Sequence, residues 1–291
     1  MSHQKELTRR TALSAMAGSL GLAVANTGLA EPQGDPIKLP FKGRIRQAIC
    51  RGCYGFLELK ALAQKVKPMG IVAIDLLGEG DWDTIRDQGL VSSMGYGIGD
   101  LPDAWNKLSN HDRLVKRAEE ILPKAKEKGV PNIITFSGNR NGLSDKDGLV
   151  NCEKGLQRII KVAEDAGVTV CMELLNSKHD HPDYQCDHTA WGVELVKRIG
   201  SPRFRMLYDI YHMQIMEGDV CATIAENIDY IAHFHTGGVP GRRDIDETQE
   251  LNYRRVCQTL VEVKFKGFVA HEFGPKRKLD SLAKAIQICD V

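Results

Sequence analysis

Short apolar runs rich in β-branched residues recur along this chain, and stretches with helical spacing separate them. We interpret eight of these runs as strands, over residues 44–50, 71–76, 89–94, 132–137, 169–174, 204–209, 231–236 and 268–272. Helical spacing is clear where Leu156, Ile159, Ile160 and Ala163 share one face, and Gly167 then supplies a stop before the next run. Strands that alternate with helices predict a parallel sheet with right-handed crossovers.

An open doubly wound sheet and a closed barrel both fit this alternation. A dinucleotide-binding sheet would carry a GxGxxG loop after its first strand, whereas residues 50–55 read Cys-Arg-Gly-Cys-Tyr-Gly. Eight strand and helix units with polar residues at the strand exits favour the closed form. The predicted fold class is therefore α/β, a single (β/α)₈ TIM barrel, formed by residues 31–291.

The first thirty residues have the order of an export signal. Arg9 and Arg10 form a twin-arginine pattern, a Gly/Ala-rich apolar run follows from residue 12 to residue 29, and residues 28–30 read Gly-Leu-Ala, a small-x-small cleavage site. We interpret residues 1–30 as a Tat-type signal peptide, which predicts a periplasmic or exported protein. Its removal leaves a chain close to the roughly 250 residues typical of such a barrel.

Composition narrows the range of partners. The net charge is +1 and aromatic residues make up 6% of the chain, so neither a basic footprint nor a base-stacking surface for nucleic acid is indicated. The mature part contains no apolar stretch long enough to suggest a stable membrane span. We expect a small-molecule partner, a hydroxy-carbonyl compound or a sugar, and the sequence leaves a homo-oligomer open.

Metal-ligand side chains stand at the exits of the last four predicted strands. We call this set the strand-exit cluster, and its members are Glu173, Asp209, His235 and Glu272. All strand exits of a parallel barrel open on one face, so these side chains are expected to meet. Three carboxylates with one imidazole favour Mn²⁺ or Mg²⁺, with Co²⁺ and Fe²⁺ as alternatives, over a thiolate-bound structural zinc. The pattern predicts a metal-dependent enzyme that acts on a small oxygen-rich substrate.

Other cysteines and histidines are interpreted as structural. Several of the eight cysteines lie in apolar patterns and are interpreted as buried free thiols. Cys50 and Cys53 form the only close pair, and a bridge between them stays open in an exported protein. His233 is expected to be a hydrogen-bonded histidine nearer the barrel base. His271 is expected to point outward or into the next layer.

Four motifs in the second half of the chain carry a family resemblance. They read Asp-Ile-Tyr-His at 209–212, Gly-Val-Pro-Gly-Arg at 238–242, Glu-Leu-Asn-Tyr at 250–253 and His-Glu-Phe-Gly-Pro at 271–275. With them, roughly residues 45–275 resemble the hydroxypyruvate isomerase family, within the xylose-isomerase-like barrel superfamily. The resemblance implies an intramolecular oxidoreductase of the aldose–ketose type. That enzyme would interconvert hydroxypyruvate and tartronate semialdehyde through an enediolate.

The resemblance also implies roles for particular residues. The strand-exit cluster would hold the metal, with Glu173 and Glu272 facing each other across the substrate as proton-transfer groups. His212 would contact a substrate oxygen. Arg242, which lies seven residues after His235, would capture a substrate carboxylate through its two-pronged guanidinium.

Alternatives of other kinds remain open. His235 stands where the compared bacterial isomerases carry glutamine and ketose epimerases carry histidine. An exported ketose 3-epimerase or 3-keto-glycoside lyase could use the same metal and bases. A non-catalytic periplasmic sugar-binding protein is a more distant alternative. An endonuclease with three zinc ions is disfavoured, because His111 is the only histidine between residues 31 and 178.

Overall fold

A computed structural model describes residues 41–291, so the predicted signal peptide at residues 1–30 lies outside the described residues. Nine parallel strands are present in this part of the chain. They are β1 (Arg46–Cys50), β2 (Ala73–Asp75), β3 (Val91–Ser92), β4 (Gly95–Ile98), β5 (Asn132–Thr135), β6 (Thr169–Glu173), β7 (Phe204–Asp209), β8 (Ile231–Thr236) and β9 (Phe268–His271). Their order in the sheet is β3-β2-β1-β9-β8-β7-β6-β5-β4, which makes a nearly closed α/β barrel.

Ten α-helices alternate with these strands within residues 41–291. They are α1 (Leu59–Val66), α2 (Trp82–Asp87), α3 (His111–Lys128), α4 (Asp145–Gln157), α5 (Ile160–Ala166), α6 (Thr189–Ile199), α7 (Ile210–Met216), α8 (Val220–Asn227), α9 (Tyr253–Glu262) and α10 (Lys278–Cys289). The predicted stop at Gly167 is confirmed, since this residue ends α5 with φ of 71°, a conformation that glycine adopts without strain. None of the described helices combines the length and apolarity needed to cross a membrane.

The third strand position of the barrel is shared by β3 and β4. β3 pairs with β2, whereas β4 pairs with β5. Two backbone hydrogen bonds close the ring here: Leu77 N donates to Met94 O at 3.2 Å, and Tyr96 N donates to Leu77 O at 3.0 Å. We call this join the β2–β4 seam. With β3 and β4 counted as one interrupted strand, the barrel has the eight positions that the sequence predicts.

Seven of the eight predicted strands are confirmed, with ends within two residues of those observed. The run predicted at residues 89–94 contains β3 but misses β4, whose sequence is Gly-Tyr-Gly-Ile. Glycine weakens a strand prediction because it has no side chain to pack. Here close packing requires it, since a Cβ on Gly95 would lie 2.7 Å from Ile133 Cδ1 and 2.8 Å from Trp82 Cζ2.

The barrel interior is lined partly by small residues. Side chains of Cys50, Asp75 and His235, from three different strands, meet inside the ring. Two residues before Cys50 and Asp75, Ala48 and Ala73 face the same interior because side chains alternate along a strand. These short side chains leave room for bulky polar groups in the centre of the barrel. The larger apolar core lies between the sheet and the surrounding helices.

Candidate metal centre

The structure brings together all four members of the strand-exit cluster. Glu173 and Asp209 are the last residues of β6 and β7, His235 is next to last in β8, and Glu272 directly follows β9. One ligand atom from each residue lies within 4.8 Å of those from the other three. The register explains part of this closeness, because Asp209 and His235 are directly paired across β7 and β8.

One nitrogen of His235 faces the three carboxylates. Its Nδ1 atom is buried and forms no hydrogen bond with the described residues. This nitrogen lies 2.6 Å from Glu272 Oε2, 3.4 Å from Glu173 Oε1 and 3.8 Å from Asp209 Oδ2. Several carboxylates removed from water repel one another unless a cation is shared among them. A buried imidazole nitrogen that faces three carboxylates therefore fits a divalent metal ion.

The two glutamates of the cluster have opposite pKa shifts. Burial raises the pKa of Glu173 to about 7, and the neighbouring charge of Glu272 adds to this effect, although His235 opposes it. Burial acts on Glu272 as well, but the charges of His235 and Arg242 outweigh it and lower the pKa of this carboxyl. Carboxyl groups with separated pKa values can act as an acid and a base in one reaction.

Arg242 reaches the cluster from the loop after β8. Its Nη2 atom donates to Asp209 Oδ2 at 2.5 Å and to Glu272 Oε2, and its Nε atom donates to the Glu272 backbone oxygen at 2.9 Å. Gly238 and Arg243 exchange two backbone hydrogen bonds at 2.8 and 3.0 Å and hold the loop in a tight turn. The guanidinium therefore lies at the mouth of the barrel beside two of the predicted ligands.

His212 lies behind this guanidinium. Asp209 caps the N-terminus of α7 by accepting a hydrogen bond from His212 N at 3.2 Å, which fixes the histidine next to the cluster. Its Nε2 atom is 2.6 Å from Arg242 Nη1, and its Nδ1 atom is 2.6 Å from Asn176 Nδ2. Burial, together with the charge of Arg242, holds the pKa of His212 well below its usual value. A neutral imidazole can accept the Arg242 hydrogen bond.

The sequence analysis missed two residues at this centre. Asp75 ends β2, and its Oδ2 atom lies 2.8 Å from His235 Nε2. The signal that identified Asp209, a carboxylate at a strand exit, could have found it. Tyr96 lies on β4, the strand that the sequence did not predict. Burial and the negative charges of Glu272 and Glu173 raise the pKa of this phenol to about 12.

The structure also bears on the predictions made for the remaining histidines and for the cysteine pair. His271 donates from Nε2 to Gln47 Oε1 and accepts at Nδ1 from Thr236 Oγ1, each at 2.9 Å, and it does not join the cluster. His233 was expected to be fully hydrogen-bonded, but only its Nε2 atom has a partner in the described residues, and its Nδ1 atom has none. Cys50 and Cys53 are free thiols, the first buried and the second partly buried.

Comparisons with known proteins agree with this architecture. The family model described as "Xylose isomerase-like TIM barrel" matches residues 85–289. A Homo sapiens protein named as a hydroxypyruvate isomerase is 27% identical over 164 residues, which cover 54% of this chain and 59% of that protein. A 2-oxo-tetronate isomerase of Cupriavidus necator is 33% identical over 110 residues, which cover 38% of this chain and 42% of that protein. Both matches span less than two thirds of the relative's own length.

Solved structures support the same fold. A crystal structure described as an AP endonuclease, family 2, from Brucella melitensis superposes with a TM-score of 0.75. The superposition covers 82% of this chain and 98% of that one at 21% sequence identity. At this level of identity the likeness concerns the barrel fold and not its chemistry.

Proposed function

Since the chain belongs to the xylose isomerase-like TIM barrel family, we propose that it is a divalent-metal-dependent isomerase of small hydroxy-carbonyl substrates, with hydroxypyruvate and tartronate semialdehyde as its nominal pair. One observation carries this proposal: the ligand atoms of the strand-exit cluster lie within 4.8 Å of one another at the carboxyl ends of the barrel strands. Active sites of such barrels form on this face.

The strand-exit cluster would hold the metal through three carboxylates and His235 Nδ1. A bound divalent metal supplies positive charge that acidifies the C–H bond between a carbonyl and a neighbouring hydroxyl. The oxygen-rich ligand set favours Mn²⁺ or Mg²⁺, with Co²⁺ and Fe²⁺ as alternatives.

Glu272 and Glu173 then act at different steps of the proton transfer, one as base and the other as acid. The ionised carboxylate of Glu272 removes a proton from C3 of hydroxypyruvate, and the electron pair forms a double bond between C2 and C3. Glu173 returns a proton to C2. The oxygen on C3 loses its proton and the oxygen on C2 gains one, which leaves an aldehyde and a hydroxyl. Both glutamates afterwards re-equilibrate their protons with solvent.

Arg242 gives the proposal its preference for an acidic substrate. Its side chain is 24% exposed at the barrel mouth, and its guanidinium could exchange its contacts with Asp209 and Glu272 for paired hydrogen bonds with a substrate carboxylate. His212 orients the guanidinium by accepting a hydrogen bond from Nη1 at its Nε2 atom. The names of the two relatives agree with this preference, since hydroxypyruvate and 2-oxo-tetronate both carry a carboxylate.

The experiment is solvent deuterium exchange by the purified protein. It is incubated in D₂O with Mn²⁺ or Mg²⁺ and with hydroxypyruvate, 2-oxo-tetronate, a ketohexose or a 3-keto-glucoside, with and without EDTA. We expect EDTA-sensitive label in the carboxylate substrates and formation of the isomer. A Glu272→Gln variant should lose label incorporation. Glu262→Gln, the same change at an exposed position on α9, should keep it.

Other outcomes would redirect the proposal. Label that appears only in the ketohexose or the glucoside would replace the isomerase with an epimerase or lyase that uses the same cluster. An absence of EDTA-sensitive label in all substrates would contradict a metal-dependent isomerase of these compounds and favour a sugar-binding protein.

A further inference from the structure

Beneath the strand-exit cluster, the side chain of Asp75 is shared by two imidazoles. Its Oδ2 atom lies 2.8 Å from His235 Nε2 and 3.2 Å from His233 Nε2. Its other oxygen, Oδ1, accepts a hydrogen bond from Ser93 Oγ, and Cys50 Sγ lies 3.8 Å from Oδ2. All five side chains are buried, and those of Asp75, His233 and His235 have no exposed surface. This carboxylate is therefore held on several sides by side chains that are shielded from solvent.

The contact with Asp75 determines which nitrogen of His235 carries a proton. An ionised carboxylate only accepts hydrogen bonds, so His235 must donate from Nε2. In a neutral imidazole the other nitrogen, Nδ1, then has a free lone pair. That nitrogen is the one that faces Glu173, Asp209 and Glu272.

His233 and Ser93 fix the carboxylate of Asp75, and this carboxylate in turn fixes His235. His233 donates from Nε2 to the same oxygen, and its ring lies edge-on to that of His235 at 5.3 Å between centroids. Ser93 follows β3 directly and fixes the second carboxylate oxygen. Asp75 consequently cannot rotate without breaking contacts to residues near β3 and on β8. The carboxylate reaches across the barrel interior from β2 to β8.

We propose that Asp75 is a positioning residue that holds His235 in the tautomer and ring orientation needed for a metal at Nδ1. The inference rests on the metal-dependent function proposed above, and it adds a role for a residue outside the strand-exit cluster. A carboxylate behind a ligating histidine fixes the ring and makes the ligand nitrogen more basic. Asp75 therefore increases the affinity of the cluster for a divalent ion.

Metal titration of the metal-free protein tests this role. We expect Asp75→Asn to raise the Kd for Mn²⁺, measured by calorimetry, by roughly 10- to 100-fold, the usual effect of losing such a partner. Asp187→Asn is the matched control. Asp187 is also a buried carboxylate beside a histidine, with its Oδ1 atom 2.8 Å from His188 Nδ1, but it lies outside the cluster. The Kd of the Asp187→Asn variant for Mn²⁺ should equal that of the wild-type protein.

A spectroscopic measurement keeps the inference testable if Asp75→Asn folds poorly. Long-range ¹H–¹⁵N spectra of the wild-type protein, labelled at histidine nitrogens and free of metal, should find a proton on His235 Nε2, the nitrogen that faces Asp75. The milder variant Ser93→Ala should weaken Mn²⁺ binding to a smaller extent than Asp75→Asn. A His235 Nε2 atom without a proton, or an unchanged Kd in both variants, would overturn the role of Asp75.

These readouts separate the two proposals. If the wild-type protein binds no divalent metal, the proposed function fails, whatever the tautomer of His235. If it binds Mn²⁺ and Asp75→Asn binds it equally well, the function stands and the positioning role fails.

Discussion

Glu173 and Glu272 have the same side chain, but their surroundings favour different protonation states. Glu173 is nearly buried, whereas Glu272 lies against the guanidinium of Arg242 and is partly exposed. Proximity to a fixed cation stabilises a carboxylate, and burial away from one stabilises the neutral acid. In the metal-free protein, this difference in surroundings separates the pKa values of the two carboxyl groups.

The raised pKa of Glu173 predicts a pH dependence of stability in the metal-free protein. Between about pH 4.5, where an unfolded glutamate titrates, and pH 7, the folded state binds more protons than the unfolded state at this residue. Its contribution to the free energy of unfolding therefore falls as the pH rises through this range. Urea unfolding at several pH values should show this fall in the wild-type protein and a smaller one in Glu173→Gln. Identical pH profiles would contradict the raised pKa.

The two-pronged contacts of Arg242 predict that lysine cannot replace it. Arg242→Lys keeps the positive charge near Asp209 and Glu272 but loses the paired geometry for a substrate carboxylate. We expect KM for hydroxypyruvate to rise by at least about tenfold, the equivalent of one lost charged hydrogen bond. Steady-state kinetics measures this, with Arg243→Lys at the exposed neighbouring position as control. An unchanged KM would remove Arg242 from the substrate site.

Most of the candidate site was predictable at the residue scale because each ligand ends an apolar run. Asp209 and Glu173 terminate such runs directly, and barrel geometry then requires them to meet. Contacts across the barrel interior leave no local pattern. The sequence shows Asp75 and His233 separated by 158 positions, so their shared hydrogen bond becomes visible only in the folded chain.

At the scale of elements, the interrupted third strand departs most from the prediction. Seven strands follow from β-branched apolar runs, whose side chains fit a sheet covered by helices. β4 instead depends on the packing of Trp82 from α2 and Ile133 from β5 against the backbone of Gly95. The strand propensity of a residue carries no information about such a close approach, because neighbouring elements determine how near the backbones come.

This packing predicts that Gly95→Ala destabilises the barrel. The new methyl group would lie within 3 Å of Ile133 and Trp82, and Trp82 is 1% exposed and cannot move into solvent. Overpacking of this kind costs typically 1–3 kcal/mol of unfolding free energy. Chemical denaturation would measure the loss. Gly78→Ala, where a Cβ would meet no atom within 4 Å, should leave stability nearly unchanged. Equal stability of both variants would contradict the packing argument.

At the scale of the whole molecule, the chain combines a barrel with a predicted export signal. The residues that could hold a metal stand at the ends of four strands, so they come together only after folding. The twin-arginine route carries proteins that have already folded, which would allow the metal to be bound before export. The signal proposed at residues 1–30 and the metal proposed for the barrel are therefore mutually consistent.

This proposal predicts that export depends on the two arginines. Replacement of both Arg9 and Arg10 by lysine should retain the full-length precursor in the cytoplasm of a Tat-competent bacterium. Immunoblots of cytoplasmic and periplasmic fractions would measure the distribution, with Lys5→Arg as a control that leaves the pair intact. A mature periplasmic product from the double variant would exclude a Tat-type signal.

The β2–β4 seam is the place where local opening of the ring would compete with occupancy of its centre. The seam lies opposite the strands β6 to β9 that carry the cluster, and Asp75 on β2 connects the two sides through His235. A ligand that binds the closed form makes local opening less favourable by its own binding free energy. With metal bound, the amide hydrogen of Tyr96, which bonds to Leu77 across the seam, should exchange more slowly with solvent. By thermodynamic reciprocity, a variant that loosens the seam should release the metal more readily.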